Sequence, residues 1–498
     1  MNGLTVKFSS LLSLLCMLLL SGCSTIIDSH SRKEPMLKAY ICGDNESVES
    51  ILLDKLKAPS MFNSSVVNTG DELMWQLEAG GFFLHMGDYH KSIRHFSRAE
   101  RLINDYDERA KISVRDVSGE FGSAFVNLNV LPYRGWCRDR MMLEIYKSLA
   151  YLGQGRPDAF RAQLRRLRAQ QSQIQKDYRE FFEREKAENA QVLKKNNYAR
   201  KLNQQSNVSS LSSDPRNRNF SRDWRAMRKV ANRGYGNFLN PAASFLSGLG
   251  SILDGNFDNA RIDFKRIYEA MPNNPMAQKY YVTMLLKADR EIPENLRHVK
   301  PFDFPLERNC VYVLTAWDRS AAFKHTSIYF PIITAWPMCE FYQRNFTRCD
   351  VSDGTQTFTA LPLVDMDGVL AQEFDERLPG IITRIVINTA IKEGIRYGAT
   401  AVAAQHDELL AAGIFLGSTI YNSATNTADT RTWEMLPVEF ALTQLPMPEK
   451  RKLQINLSGR KSTELSVDIP ENVSSAIIFI SAPSVNNVRC HILPLKTK

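Results

Sequence analysis

The chain has 498 residues, of which 44% are hydrophobic and 23% are charged, and these proportions are ordinary for a globular protein of two or three domains. Eight cysteines are too sparse in this length for a disulfide scaffold. The net charge of +9 is unevenly placed, because residues 156–233 hold 20 Lys and Arg against 8 Asp and Glu. The composition therefore predicts one basic surface and excludes a uniformly basic protein.

Residues 1–22 have the pattern of a secretory signal peptide. Lys7 precedes an apolar run over residues 11–20, which is about half the length that a membrane span needs. Cys23 directly follows Leu20-Ser21-Gly22. This resembles the lipobox of bacterial lipoproteins, which are cut between Gly22 and Cys23 and acylated on the cysteine. An ordinary signal peptide that ends near a cysteine is the alternative. We expect a protein held at a membrane, outside the cytoplasm, by acyl groups on Cys23.

Ser24 and Thr25 follow the cysteine with no Asp directly after it. In bacteria with two membranes this resembles the pattern of lipoproteins sent to the outer membrane, so we expect the protein there, facing the periplasm. Residues 23–36 are polar after the cysteine and predict a flexible tether. That compartment permits disulfides, and Cys339 with Cys349 is the best candidate pair because the segment between them is short and polar.

Residues 71–106 have the spacing of a tetratricopeptide unit, a helical hairpin of about 34 residues. The residues at the characteristic positions are Gly80, Phe83, Gly87, Tyr89, Phe96 and Ala99. Gly80 would let the two helices approach closely, with Phe83 and Phe96 in the seam between them. Gly87 and Tyr89 would form the turn.

Residues 243–274 repeat this register, and residues 144–167 repeat it in a degenerate form. The second unit has Gly248, Gly255, Phe257, Ala260 and Phe264 at the corresponding positions. Units of this kind bury their seams by stacking, so we expect an all-α, tetratricopeptide-like domain over residues 37–300. Its concave groove is the most credible site for a peptide or helix of a partner protein.

A long basic helix is predicted over about residues 157–203, because its apolar residues recur at steps of three and four, as in a coiled coil. Residues 206–219 are rich in Ser, Asn and Arg and predict a mobile loop. The helix begins with clustered arginines that are candidate contacts for an anionic partner: Arg161, Arg165, Arg166 and Arg168. Lipid headgroups, cell-wall polymers and acidic proteins are the available anions, whereas the compartment argues against nucleic acid. A solvated helix face is the alternative.

From residue 301 the sequence predicts an α+β domain that extends to residue 498. The strand candidates are residues 311–316, 327–334, 355–364, 452–457 and 475–481. Residues 380–394 predict a helix. Residues 399–420 form a further apolar stretch, which we interpret as a helix on the sheet, with a helix on the membrane surface as the alternative.

A search for catalytic groups finds no convincing set. His85, His90 and His95 recur every five residues, which places them on different sides of a helix. Asp365 and Asp367 could share a proton or a cation, but no further carboxylates stand at the spacing of a calcium loop. Residues 406–408 are interpreted as a solvated break. Neither a phosphate loop nor a dinucleotide motif is present. We therefore expect no enzyme activity, no cofactor and no metal.

Arg431 and Trp433 alternate, so that an extended segment would bring them together as a cation–π pair. We interpret them as a structural corner that holds Leu436-Pro437, with a ligand contact as the alternative.

Several motifs, in the same order along the chain, resemble a family of uncharacterised bacterial tetratricopeptide-like lipoproteins. They are Pro132-Tyr133-Arg134-Gly135, Asn240-Pro241-Ala242-Ala243-Ser244, Val311-Tyr312-Val313-Leu314 and Ala428-Asp429-Thr430-Arg431-Thr432-Trp433 with Leu436-Pro437. The family usually has an Asn-Gly turn after the first strand of its C-terminal half, and this chain has Trp317-Asp318-Arg319 at that place. The resemblance implies an envelope lipoprotein with helical repeats, and it implies no reaction.

The sequence thus predicts helical repeats, a long basic helix and an α+β domain. The expected function is that of a lipid-anchored scaffold that binds envelope proteins without catalysis. The alternative is a cell-wall-acting enzyme or polymer-binding module that uses residues 301–498.

Overall fold

The computed structural model describes residues 29–61, 63–113, 132–236, 238–330, 332–404 and 428–497. The signal peptide, Cys23, residues 406–408 and most of the apolar stretch 399–420 lie outside the described residues. Within these ranges, no helix combines the length and the apolar character needed to cross a membrane.

Helices precede strands in the described chain, as predicted, with a further long helix between the strands. The α-helices before residue 310 are α1 (Ser29–Cys42), α2 (Asn45–Lys55), α3 (Glu72–Met86), α4 (Tyr89–Ser113), α5 (Cys137–Gly153), α6 (Pro157–Lys195), α7 (Asn197–Gln205), α8 (Val208–Ser213), α9 (Arg218–Ala231), α10 (Pro241–Leu253), α11 (Phe257–Ala270) and α12 (Pro275–Lys287). The fold class predicted from the sequence, helical first and α+β afterwards, is confirmed.

The strands begin at residue 310. They are β1 (Cys310–Trp317), β2 (Ala322–Phe330), β3 (Ile332–Glu340), β4 (Phe346–Ser352), β5 (Thr357–Thr359), β6 (Leu361–Asp365), β7 (Glu439–Pro446), β8 (Lys452–Gly459), β9 (Thr463–Asp468), β10 (Val473–Ser484) and β11 (Asn487–Thr497), with α13 (Met366–Ala404) after β6. Two single strands predicted from the sequence are wrong. Residues 327–334 belong to the β2–β3 hairpin, and residues 355–364 are divided between β5 and β6.

The sheets form two layers and a hairpin. A five-stranded sheet has the order β11-β10-β1-β7-β6, a four-stranded sheet has the order β5-β4-β8-β9, and β2 pairs with β3. In the five-stranded sheet β1 and β10 are parallel, and the other neighbours are antiparallel. Every residue of β1 is buried, as expected for a strand covered on both faces.

Alternate residues of β1 enter different cores, because successive side chains of a strand point to opposite faces. Val311 and Val313 pack in a core with the four-stranded sheet. Tyr312 and Leu314 pack on the other face, in a core that extends through the helices as far as Met36. The helices and the five-stranded sheet therefore share one hydrophobic core.

The first helix corrects the prediction of a flexible tether over residues 23–36. Residues 29–36 belong to α1, and Lys33 and Met36 are fully buried. Because these side chains are buried, residues 29–36 are part of the folded protein.

The predicted long helix is α6, and it packs on a helix of the same chain. Its buried side chains contact α5 and α10 up to Gln171, and α13 beyond it. Tyr178 lies 3.3 Å from Arg377, and Glu185 lies 3.0 Å from Arg384. Both contacts advance by seven residues on each helix, so α6 and α13 run parallel with coiled-coil spacing. Asn196 interrupts the helix and caps α7.

Residues 206–219 are not a mobile loop. They form α8, a short 3-10 turn at Pro215–Asn217 and the start of α9. Side-chain caps from Asn207 and Asp214 stabilise these short elements. We call α6 beyond Gln171, together with α7, α8, α9 and α13, the arm.

Candidate functional site

The concave face of the helical hairpins is filled by the chain itself. The inner helices α3, α5 and α10 are buried over residues 72–85, 137–150 and 241–250. Helices that are buried on all sides are covered by other elements, and here the sheet and residues 428–436 cover them. The groove predicted as the partner site is therefore not open, because the chain's own C-terminal part occupies it.

In the first hairpin, Gly80 of α3 lies directly under Phe96 of α4. A Cβ on Gly80 would come within 2.4 Å of the Phe96 ring, so only glycine permits this approach. Phe83 stacks on His95 in the same seam, with ring centroids 5.4 Å apart. Gly87 ends α3 with a φ of 79°, a conformation in which glycine is favoured.

The second hairpin has the same construction. A Cβ on Gly248 of α10 would come within 2.8 Å of Phe264 of α11, and Ala260 is fully buried beside it. Gly255 makes the turn with a φ of 72°. Phe257 begins α11 and lies 4.9 Å from the ammonium group of Lys287.

Between the α3–α4 hairpin and the α5–α6 hairpin, Tyr89 packs on Gly153 of α5, where a Cβ would come within 2.4 Å of the Tyr89 ring. The predicted repeat-packing residues thus lie at contacts of the helices, except that Gly87 and Gly255 lie at the turns.

Trp433 lies in the centre of the concave face. A Cβ on Gly81 would lie 2.9 Å from its indole ring. The rings of Phe96 and Tyr146 have centroids 5.8 and 5.6 Å from that of Trp433. The indole therefore contacts two of the hairpins at once.

Arg431 does not stack on Trp433, which corrects the predicted cation–π pair. Its guanidinium lies 2.8 Å from Asp429 and 3.4 Å from Asp71 of the N-terminal helices. Arg138 of α5 holds the same segment, since it donates to the carbonyl oxygen of Trp433 at 3.0 Å. Residues 428–436 form a structural corner fixed by buried charged groups.

A buried charge cluster ties α1 to this corner. The ammonium of Lys33 lies 3.0 Å from Glu78 and 2.8 Å from Glu434, and all three side chains are fully buried. Burial alone favours the neutral amine, yet the two carboxylates outweigh it and raise the pKa of Lys33. Burial raises the pKa of Glu78, whereas Lys33 and His30 outweigh burial and lower that of Glu434. The cluster is an enclosed structural ion pair.

Asp365 and Asp367 do not form a shared site. Asp367 is buried and accepts from the backbone N–H of Ala321 at 2.7 Å, and burial raises its pKa to about 6. Asp365 pairs instead with Arg233 and Arg344, each at 3.2 Å. The described residues contain no group of three or more His, Cys, Asp or Glu that is arranged to hold a metal ion.

The histidines of α3 and α4 are structural or exposed. His85 is buried and hydrogen-bonds Ser481 and Asn487, both at 2.8 Å, and burial lowers its pKa to about 4. His95 contacts Gln76, while His90 is exposed. The three rings are not brought together.

The four arginines predicted to contact an anionic partner are paired within the chain. Arg161 and Arg165 face Asp254 at the C-terminal end of α10, Arg168 lies 3.7 Å from Asp263 of α11, and Arg166 pairs with Glu100 of α4. These acidic residues come from neighbouring hairpins. The chain's own carboxylates therefore offset much of the charge of this cluster, and its contact with an anionic partner stays a prediction.

The predicted disulfide is also absent, because Cys339 and Cys349 are separate free thiols. Cys339 lies on β3 in the core shared with the helices, whereas Cys349 lies on β4 in the core between the two sheets. Cys349 accepts a hydrogen bond from Thr315 at 3.5 Å. The five-stranded sheet stands between the two cores.

A basic surface begins at the end of the segment predicted as a loop, residues 206–219, and continues along α9. Residues of α8 and α9 line a groove of about 700 Å³. Four of them, which we call the basic stripe, follow one side of α9 at steps of three and four: Arg218, Arg222, Arg225 and Lys229. All four are exposed, and among the described residues Arg222 pairs only with the adjacent Asp223. The other three form no ion pair with any described residue.

The opposite face of α9 packs on the β2–β3 hairpin and α13 through Phe220, Trp224 and Met227. This alternation of basic and apolar positions is a helical signal that is visible in the sequence. The Ser- and Asn-rich residues that precede it concealed the signal.

Comparison of the chain with protein-family models, with curated proteins and with solved structures gave no match.

Proposed function

We propose that this protein is a lipid-anchored, extracytoplasmic scaffold of the bacterial envelope, which binds other proteins and catalyses no reaction. The observation that supports this proposal most strongly is the exposed surface of the arm. The arm contains residues 172–195 of α6, which run parallel to the 39-residue helix α13, and α13 would be about 58 Å long. Beyond Gln171 only one side of α6 packs on α13, and most of its remaining residues are exposed.

The arm is the partner surface in this proposal because the concave groove is occupied. Stacked hairpins commonly bind peptides or helices in that groove, but here the chain's own sheet and Trp433 fill it. A partner must then bind on an outer surface. The outer side of α6 offers exposed charged residues such as Lys176, Glu183 and Lys186.

We also propose that the hairpins are tetratricopeptide-like units. The glycine–aromatic contacts of Gly80 with Phe96 and of Gly248 with Phe264 support this assignment. The resemblance of the chain to uncharacterised tetratricopeptide-like lipoproteins supports the envelope location, and the residues after Cys23 favour the outer membrane. Absence of catalysis is proposed because the buried titratable groups are engaged in packing, as Lys33 is with Glu78 and Glu434.

The anchor is tested by metabolic labelling with a fatty acid. Label is expected on the wild-type chain and on Cys42→Ala, whose exposed cysteine provides a matched control. Cys23→Ala should carry no label. Label that persists on Cys23→Ala would contradict the anchor.

The partner surface is tested by in-cell crosslinking of the intact lipoprotein. A photoreactive residue at Glu183 or Lys186 of α6 should give adducts with a small set of envelope proteins. The same probe at Gln454 or Ser466, which are exposed on the four-stranded sheet, is the control. Adducts with cell-wall fragments from the sheet positions, and no protein adducts from α6, would favour a polymer-binding or cell-wall-acting module instead.

A further inference from the structure

The first described helix begins at a position near the expected acylation site in the sequence. Ser29 begins α1, and its backbone N–H donates to Thr430 of the structural corner at 3.1 Å. Five residues stand between Cys23 and Ser29, and the six fully extended steps from one to the other span at most about 20 Å. If Cys23 is acylated, the folded body cannot move far from the bilayer surface.

The helix that carries the basic stripe is connected to this start through one β-hairpin. His30 of α1 lies 3.9 Å from Glu340 at the end of β3. Glu340 pairs with Ala322 of β2, and two residues further along β2 the ammonium of Lys324 lies 2.9 Å from Asp223 of α9. The N-terminal helix and α9 therefore rest on the same hairpin.

Three residues of the basic stripe, Arg218, Arg225 and Lys229, have no carboxylate partner in the described part of the chain. The four residues of the basic stripe follow one another at steps of three and four along α9. Like charges at this spacing destabilise a helix. The other arginine cluster, at Arg165 and its neighbours, is neutralised by acidic residues, whereas three of the four stripe residues are not. An anionic ligand outside the chain would supply the missing negative charge.

We propose that the basic stripe docks on the anionic headgroups of the bilayer in which the acyl groups of Cys23 are inserted. The short linker favours a lipid surface over an acidic protein, because it keeps the hairpin and α9 near that surface. Acyl anchoring combined with a basic patch is a known physical means of holding a protein to a membrane in one orientation. This proposal rests on the proposed lipid anchor. It specifies which side of the folded protein faces the bilayer.

The test uses the mature chain, residues 23–498, with Cys23→Ser so that it carries no acyl group. Binding is measured by co-sedimentation with vesicles of phosphatidylcholine alone or mixed with phosphatidylglycerol. The unacylated chain should bind only the anionic vesicles, and added salt should weaken this binding. Each basic residue near an anionic surface contributes about fivefold in affinity. The triple variant Arg218→Gln, Arg225→Gln and Lys229→Gln should then bind on the order of 100-fold more weakly.

The matched control is the triple variant Lys300→Gln, Arg460→Gln and Lys461→Gln, whose side chains are exposed and form no ion pair with a described residue. It loses the same charge and should bind nearly as well as the parent chain. Equal losses in both variants, or no preference of the parent chain for anionic vesicles, would overturn the proposal. So would an in-cell photocrosslink from Arg225 to an acidic protein in place of lipid. Because acylation is absent here, the labelling of Cys23 remains a separate test of the anchor.

Discussion

Gly81 of α3 lies against the indole ring of Trp433, so closely that a Cβ on the glycine would come within 2.9 Å of the ring. The two residues stand near opposite ends of the chain, and their contact closes the concave face of the helical hairpins. The groove in which the repeat pattern predicts an interaction surface is therefore filled, and the partner surface that we propose lies on the outside of the molecule.

Trp433→Ala should lower the free energy of unfolding by about 3–5 kcal/mol, because it leaves a cavity between two hairpins and the sheet. Urea unfolding followed by circular dichroism measures the change. Tyr198→Ala is the control, since this ring on α7 is 49% exposed and its removal should cost about 0.5 kcal/mol or less. Equal shifts for the two variants would contradict the central position of Trp433.

Lys33→Met should destabilise the protein by about 3–5 kcal/mol at neutral pH, because Glu78 and Glu434 would remain buried without a cation. Without Lys33 the folded-state pKa values of both carboxyls are raised. The loss should therefore be smallest at acid pH, where both are protonated, and should grow as the pH rises. Lys38→Met is the control, because its partner Glu34 is exposed and the side chain of Lys38 is 73% exposed. A loss that does not depend on pH would exclude this account of the cluster.

His85 should make the protein less stable in acid. Its folded-state pKa is about 4 because the ring is buried, whereas its unfolded value is about 6.5, so the unfolded chain binds more protons between these values. The contribution of the neutral His85 ring to the free energy of unfolding is fully present above about pH 6.5. It is lost as the pH falls towards 4, and the total loss is about 3 kcal/mol.

His85→Gln should flatten this part of the pH profile, while His90→Gln, at an exposed position, should leave it unchanged. Urea unfolding at a series of pH values measures both. The same acid slope in His85→Gln as in the parent chain would show that other groups cause it.

The cysteines should be reduced in the purified protein. Alkylation of the unfolded chain without reductant should label all six described cysteines, and prior reduction should not increase the number of labels. Mass spectrometry counts the labels and assigns them to individual cysteines. A gain of two labels after reduction, assigned to Cys339 and Cys349, would mean that the two cores are connected differently from the structure.

Local relations in this fold can be read from the sequence, whereas long-range ones cannot. The spacing of Gly80 and Phe96 predicts their contact because both residues belong to one hairpin. The contact of Gly81 with Trp433 has no counterpart in sequence spacing. Nothing local to Arg165 and its neighbours indicates that Asp254 and Glu100 offset much of their charge.

Other predictions were wrong although the sequence contained the correct signal, because a competing signal was given more weight. Pro331 stands inside the run predicted as one strand over residues 327–334, and proline disfavours a continuous strand. The apolar face of α9 is periodic, but the polar residues before it suggested a loop. The tether was predicted from the polarity of residues 24–36, whereas Lys33 is buried in this fold because two buried carboxylates pair with it.

Hydrogen exchange of the intact protein, read by mass spectrometry, tests most directly whether the chain fills its own concave face. The backbone amides of residues 137–153, in α5, should exchange only by global unfolding, and Trp433→Ala should accelerate them together with those of α3. Protection of α5 no greater than that of the exposed outer helix α11 would contradict the account and would reopen the groove as a partner site.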